Sequence, residues 1–170
     1  MKSETFEKII ANLNGGMAAK MFGMIGFKPN YTLEQLQEIE QEFQAMYGGR
    51  EILPTTVVPF GFYLGETLVR NIPNAKWDFT ADFLCDVSIK IQGKDGGELI
   101  AKPFTRFEKF LKDDSDKPST MFWLFSQLSQ KTTKELMAEG TPLTDGWYKF
   151  PDGHMFRFFI EKKQKVRPDT

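Results

Sequence analysis

"GFYLGETLVRNIPNAKWDF", Gly61 to Phe79, changes character at its centre, and that change sets the fold class. At about 100° per residue, Phe60, Tyr63, Leu64, Thr67 and Leu68 share one helical face, while Gly61, Gly65, Val69 and Ile72 lie on the adjoining one. So wide an apolar arc predicts a mostly buried helix. Pro73 and Asn74 then make a turn, and "KWDF" opens strand chemistry. Each glycine lowers helix propensity by about 1 kcal/mol relative to alanine. Their spacing of four stacks both on one side, where another backbone can come close.

One charged pair interrupts the arc. Glu66 and Arg70 stand at i and i+4 in the favourable order, which as a plain intrahelical pair contributes about 0.2–0.5 kcal/mol. The alternative makes Glu66 partly buried, bonded to the following strand region or lining a pocket, with Arg70 and Tyr63 or Asp78 as companions in a carboxylate acid/base site. Both readings stand open on sequence alone.

The same stretch carries a resemblance. Gly61, Tyr63, Leu64, Gly65, Glu66 and Trp77, followed by a strand pair and "KPFTRFEKF", resemble a pattern in small uncharacterised bacterial proteins: a G-x-Y-L-G-E helix, a turn, and a strand opening with Trp. The match runs from about Phe60 to Phe110. It implies a compact bacterial domain and brings no assigned activity.

Working outward, "SETFEKIIANLNGG" sets Phe6, Ile9, Ile10 and Leu13 at helical spacing, and "MAAKMFGMIGF" is an apolar run broken by Gly23 and Gly26. "YTLEQLQEIEQEFQAMYGG" predicts the clearest helix, with Thr32 and Gln35 as a capping box and Leu36, Ile39, Phe43 and Met46 as its buried stripe. Glu34, Gln37, Glu38, Gln41 and Glu42 are its solvated face. Downstream, "LCDVSIKI" and "GELIAKPF" read as strands joined by the hairpin loop "QGKDGG". "TRFEKFLKDD" reads as a short helix, and "DKPSTMFWLFSQLSQKTTKELMAEG" as one or two more, with Asp116 the expected N-cap. "GWYKFPDGHMFRFFIEKK" predicts a hairpin turning at Asp152-Gly153.

The order helices, strands, helices, strands predicts an α+β fold: an antiparallel sheet with helices packed mainly on one face. No linker or repeat divides the chain. The expectation is a single domain over residues 1–170, helical over about 3–72 and mixed over about 75–163.

Composition narrows the function. Twenty-two Lys and Arg balance 23 Asp and Glu for a net charge of -1, which offers no pull toward nucleic acid. The densest apolar run, Met121 to Phe125, is far short of the roughly 20 residues a spanning helix needs, so no membrane role is expected. The amino terminus mixes Glu and Lys into its apolar residues, unlike an export signal, and a lone Cys85 suits a reducing compartment. The expected location is the cytoplasm. One His and one Cys cannot build a zinc site, and neither a GxxxxGK[ST] loop nor a GxGxxG is present, so no metal or cofactor is expected. Cys85 reads as a small buried strand residue and His154 as a solvated turn residue. Asp78, Asp82 and Asp86, four apart in a strand-and-bend context, do not converge. Lys162, Lys163, Lys165 and Arg167 make the tail locally basic.

Seventeen phenylalanines are more than a core of this size needs, and both faces of the last hairpin are aromatic. A two-residue turn puts Trp147, Lys149, Phe156 and Phe158 on one side and Tyr148, Phe150, Met155, Arg157 and Phe159 on the other. One face can cover the core; the other needs a helix, a second copy or a partner. The leading expectation is a non-catalytic protein-binding module contacting another protein, or a second copy of itself, through Tyr63, Trp77, Trp147, Tyr148, Phe156 and Phe158. The alternative is a small enzyme centred on Glu66 and Arg70.

Overall fold

A computed structural model describes residues 28–47, 54–112 and 117–157, together with Gly23 and Gly26. The helix expected at Phe6–Leu13, most of the methionine-rich run, Phe158, Phe159 and the basic tail lie outside them. The fold is α+β. In chain order the elements are α1 (Leu33–Tyr47), α2 (Pro54–Asn71), β1 (Lys76–Asp78), a 3₁₀ turn at Leu84–Asp86, β2 (Ser88–Gln92) and β3 (Glu98–Ala101). There follow α3 (Pro103–Lys112), α4 (Pro118–Gln130), α5 (Thr133–Glu139), β4 (Thr141–Pro142), a 3₁₀ turn at Thr144–Gly146, β5 (Trp147–Lys149) and β6 (Met155–Arg157). The strands form two three-stranded antiparallel sheets, β1-β2-β3 and β4-β5-β6. Contacts divide the chain into two compact units, Met1–Thr132 and Thr133–Thr170.

In the first unit α1 behaves as its periodicity demands: Leu36, Ile39 and Phe43 are buried. The capping box is only half made. Gln35 N–H donates to Thr32 Oγ1 at 3.2 Å, but Thr32 N–H goes to Asn30 Oδ1, and the Gln35 side chain instead spans Lys28 O (2.6 Å) and Asn30 N–H (2.8 Å). Phe43, Phe60 and Phe107, one from each of α1, α2 and α3, meet with ring centroids 4.1–5.5 Å apart. That contact is the centre of a core that also takes Ile89, Ile91 and Ala101 from the sheet and Met121 and Phe122 from α4. Beside it Phe62, Val87 and Phe104 make a smaller cluster.

The sheet register explains its two surfaces. Ile89 pairs with Ala101 and Ile91 with Leu99, an apolar face, whereas Lys90, Gln92 and Glu98 project from the other. The hairpin loop closes by Gly93 N–H to Gly97 O at 2.8 Å, with Gly96 at φ 83. Three expectations need correction here. Strand β2 begins at Ser88, so Cys85 sits exposed on the 3₁₀ turn and is not a buried strand residue. Helix α3 begins at Pro103, whose missing N–H suits a first helical position. The N-cap of α4 is Lys117 in extended conformation without a side-chain cap, and Asp116 lies outside the described residues.

In the second unit the register differs from a two-residue turn. Trp147 pairs with Arg157, Tyr148 with Phe156, and Lys149 with Met155. A two-residue hairpin would need Pro151 N–H to donate to His154 O, and proline has no N–H. Phe150 N–H makes that bond instead, at 2.8 Å, and Gly153 N–H returns to Phe150 O at 2.9 Å. Pro151 thereby takes the second position of a turn that leaves Gly153 at φ 92. Phe156 consequently joins Tyr148, not Trp147.

Candidate functional site

Glu66 projects from α2 with its side chain 13% exposed. Its Oε1 accepts the Trp77 Nε1–H bond at 2.8 Å, and its Oε2 accepts from Arg70 Nε at 3.2 Å. Helix period supplies the second contact; the turn at Pro73-Asn74 supplies the first by folding β1 back along α2. Asn74 adopts φ 61 there, a conformation asparagine tolerates. The Arg70 guanidinium in turn lies 4.0 Å above the Tyr31 ring, and Tyr31 stacks on Tyr63 at 5.3 Å. Tyr63 is 2% exposed and its hydroxyl donates to Gln35 Oε1 at 2.7 Å. Burial pushes that phenol up. The chain Trp77–Glu66–Arg70–Tyr31–Tyr63–Gln35 therefore ties β1, α2, the segment before α1, and α1 together. With a donor on each oxygen, Glu66 is arranged to hold elements in place. Tyr63 is a core hydroxyl and offers no surface.

The glycines of α2 fit this picture, with one change. Rings, not a backbone, make the close approach. A Cβ at Gly65 would stand 2.0 Å from the Trp77 ring, and one at Gly61 would stand 2.2 Å from that of Phe104. Trp77 also stacks on Phe79 at 5.2 Å and lies 5.6 Å from Phe62. It is half-buried, with its indole N–H already satisfied.

An open groove of about 900 Å³ crosses the polar side of the first sheet, lined by Lys76, Asp78, Phe79, Lys90, Gln92 and Glu98 among others. Lys90 Nζ lies 3.1 Å from Asp78 Oδ2 and 3.5 Å from Glu98 Oε1. Hydrogen bonds from the Thr80 hydroxyl and N–H, then Lys90, hold the Asp78 carboxyl down at about 2. Asp86 pairs with Lys102 at 3.1 Å and Asp82 is exposed, so the three aspartates do not gather. Among the described residues no group of three His, Cys, Asp or Glu side chains converges.

The second unit holds the other expected binding residues. On one side of its sheet Tyr148 and Phe156 are half-buried and Phe150 is buried. On the other side the register aligns Thr141 with Lys149, Lys149 with Met155, and Trp147 with Arg157, and Leu143 N–H donates to Trp147 O at 2.7 Å. All six of these side chains are exposed, Trp147 by 40%, Leu143 by 44% and Met155 by 49%. Leu143 and Met155 join Trp147 as surface residues that sequence reasoning missed, because the hairpin register decided which side they take. His154 Nδ1 lies 2.9 Å from Asp152 Oδ2, within the turn.

Another buried group escaped the sequence reading. Glu40 is 5% exposed and accepts from both the N–H and the hydroxyl of Ser119 at the start of α4. Its signal was positional: Glu40 occupies the i+4 place of the Leu36–Ile39–Phe43 stripe.

The chain matches no family model, no curated protein and no solved structure. Among the described residues no helix is long and apolar enough to cross a membrane.

Proposed function

We propose that this protein is a non-catalytic protein-binding module of the bacterial cytoplasm, and that it works through the open face of the β4-β5-β6 sheet. The observation that carries the reading is the clustering of Leu143, Trp147 and Met155 on one exposed face of a sheet whose other face is at least half-buried at Tyr148 and Phe156. Large apolar side chains grouped on a surface are a usual mark of a contact site, and tryptophan at the centre of one is a typical energetic anchor. The engagement of both Glu66 oxygens supports the same reading over a carboxylate enzyme. Bacterial origin rests on the G-x-Y-L-G-E resemblance, and the cytoplasmic location on the single cysteine.

Selection of displayed random peptides on the whole chain, with counter-selection on Trp147→Ser, tests the module. Enriched peptides that bind the native chain and lose binding to Trp147→Ser are expected. Selection that yields no Trp147-dependent binder would remove the reading.

A further inference from the structure

We infer that the β1 edge of the first sheet pairs with β1 of a second copy, antiparallel about a two-fold axis at Trp77. This contact is separate from the β4-β5-β6 face and does not depend on it.

β1 is an outer strand of its sheet. Which of its backbone groups face outward follows from the β2–β3 hairpin. Gly93 N–H donates to Gly97 O, and in an antiparallel ladder hydrogen-bonded pairs alternate with non-hydrogen-bonded ones. Counting back through the register, Ile91 and Ile89 turn their N–H and C=O toward Leu99 and Ala101 on β3. Lys90 and Ser88 therefore turn theirs the other way, toward Lys76 and Asp78 on β1. Trp77 lies between those two, so its N–H and C=O point away from β2 to the outer edge. The open groove is lined by all three β1 residues and by Asn74, Phe79 and Thr80, so the strand is accessible along its length.

Side-chain charge selects what adds there. Lys76 is exposed, stands directly across from Lys90, and makes no ion pair among the described residues. Like charges directly opposite are destabilising, and Lys90 is already engaged by Asp78 and Glu98. Lys76 is left wanting a carboxylate on its outer side. A second β1 laid antiparallel with Trp77 opposite Trp77 supplies one: its Asp78 falls opposite Lys76, and its Lys76 opposite Asp78, on the same polar face of the sheet. The two Trp77 residues exchange both N–H to C=O bonds. Lys-Trp-Asp is thus complementary to itself read backwards, which is what a two-fold contact requires. The opposite edge, Glu98–Ala101, carries a single charge and offers no such match. Three residues bury little surface, so the dimer is of the weak, transient kind.

The test is sedimentation of the full chain from about 1 μM to about 1 mM, the range in which weak contacts associate. A monomer–dimer equilibrium that weakens as salt rises is expected. Lys76→Glu sets Glu opposite Asp78 twice, and Asp78→Lys sets Lys opposite Lys76 twice, so each variant alone should raise the dimer dissociation constant about tenfold or more. An equimolar mixture of the two joins opposite charges at both positions and should restore association. Near-UV circular dichroism verifies that each variant folds. The Trp77 amide gives a second reading by NMR: its hydrogen exchange should slow with rising concentration, in proportion to the fraction dimerised, in the native chain and not in Lys76→Glu. If Asp78→Lys does not fold, Lys76→Glu and this amide decide alone.

A chain that stays monomeric throughout would overturn the inference. So would a dimer that Lys76→Glu leaves intact, folded variants that fail to associate on mixing, or a Trp77 amide whose exchange ignores concentration. A dimer kept in Lys76→Glu and lost in Trp147→Ser would belong to the β4-β5-β6 face instead.

Discussion

At Glu66 the two carboxylate oxygens serve different donors, and substitutions can separate them. Glu66→Gln keeps an oxygen for Trp77 Nε1 but turns an NH2, which cannot accept, toward Arg70; because the Arg70 side chain is 53% exposed its guanidinium can turn to water, so the expected loss is about 1 kcal/mol. Gly65→Ala acts on the other side of the same ring. Its Cβ would overlap the Trp77 ring at 2.0 Å, and Phe62 and Phe79 limit where that ring can go. Overpacking of this kind costs about 1–3 kcal/mol, more than the roughly 1 kcal/mol that alanine returns in helix propensity at the upper end of that range. Urea denaturation of both variants is expected to rank Gly65→Ala below Glu66→Gln; the reverse order would mean that the ion pair, not the ring notch, fixes β1 on α2. The pair Glu66 and Arg70 was legible from spacing alone. A bond from Glu66 to the following strand region stood as one of two open readings; that the Trp77 indole is the donor was not legible, because a contact across a turn depends on how β1 folds back. Tyr63 misled for a related reason: an aromatic with a polar tip reads as surface until a buried acceptor, here Gln35, is found for its hydroxyl.

Among the elements, β1 has a hold that depends on pH. The Asp78 carboxyl accepts from Thr80 Oγ1 at 2.6 Å and Thr80 N–H at 3.0 Å, and pairs with Lys90 on β2. Its folded-state value lies near 2, below the ordinary carboxylate range of about 4. A lowered folded value means the stabilising contribution is complete above the unfolded value and disappears as pH falls from about 4 to about 2. Native chain should therefore lose stability more steeply than Asp78→Asn across that window, measured by Trp fluorescence in urea at a series of pH values. Parallel slopes for the two proteins would show that Asp78 is not a stabilising contact. Element identity was otherwise well written in the sequence: α1 by its stripe, the β2–β3 hairpin by "QGKDGG", the β5–β6 hairpin by its aromatic flanks. Register was not. "PDGH" contains the Asp-Gly pair of a two-residue turn, yet the preceding proline cannot make the closing hydrogen bond, and that single missing N–H moves Phe156 to the opposite side from the one the pattern suggested. The two-residue strand β4 was too short for any periodicity to register, and the buried Glu40 was hidden among the solvated acids around it.

On the scale of the chain, the two compact units differ greatly in what they bury. Among the described residues, Met1–Thr132 contains four phenylalanine-bearing helices, α1 to α4, and one three-stranded sheet. In Thr133–Thr170 the buried apolar side chains among the described residues are Leu136 and Phe150, with Tyr148 and Phe156 half-covered. Segments shorter than roughly 40 residues seldom bury enough apolar surface to offset the conformational entropy of folding unless disulfides, metals or oligomerisation assist. A lone hairpin with one added strand is marginal by the same reasoning. A peptide comprising residues 133–170 is therefore expected to give a random-coil far-ultraviolet spectrum and a featureless near-ultraviolet one, while the whole chain melts in one transition. The open sheet face matters to this outcome as well. Trp147, Leu143 and Met155 contribute little to stability while exposed, so replacing all three by serine should leave the melting temperature of the whole chain within a few degrees of native. If the peptide folded alone, or the triple variant unfolded the chain, those side chains would belong to a core and not to a contact surface.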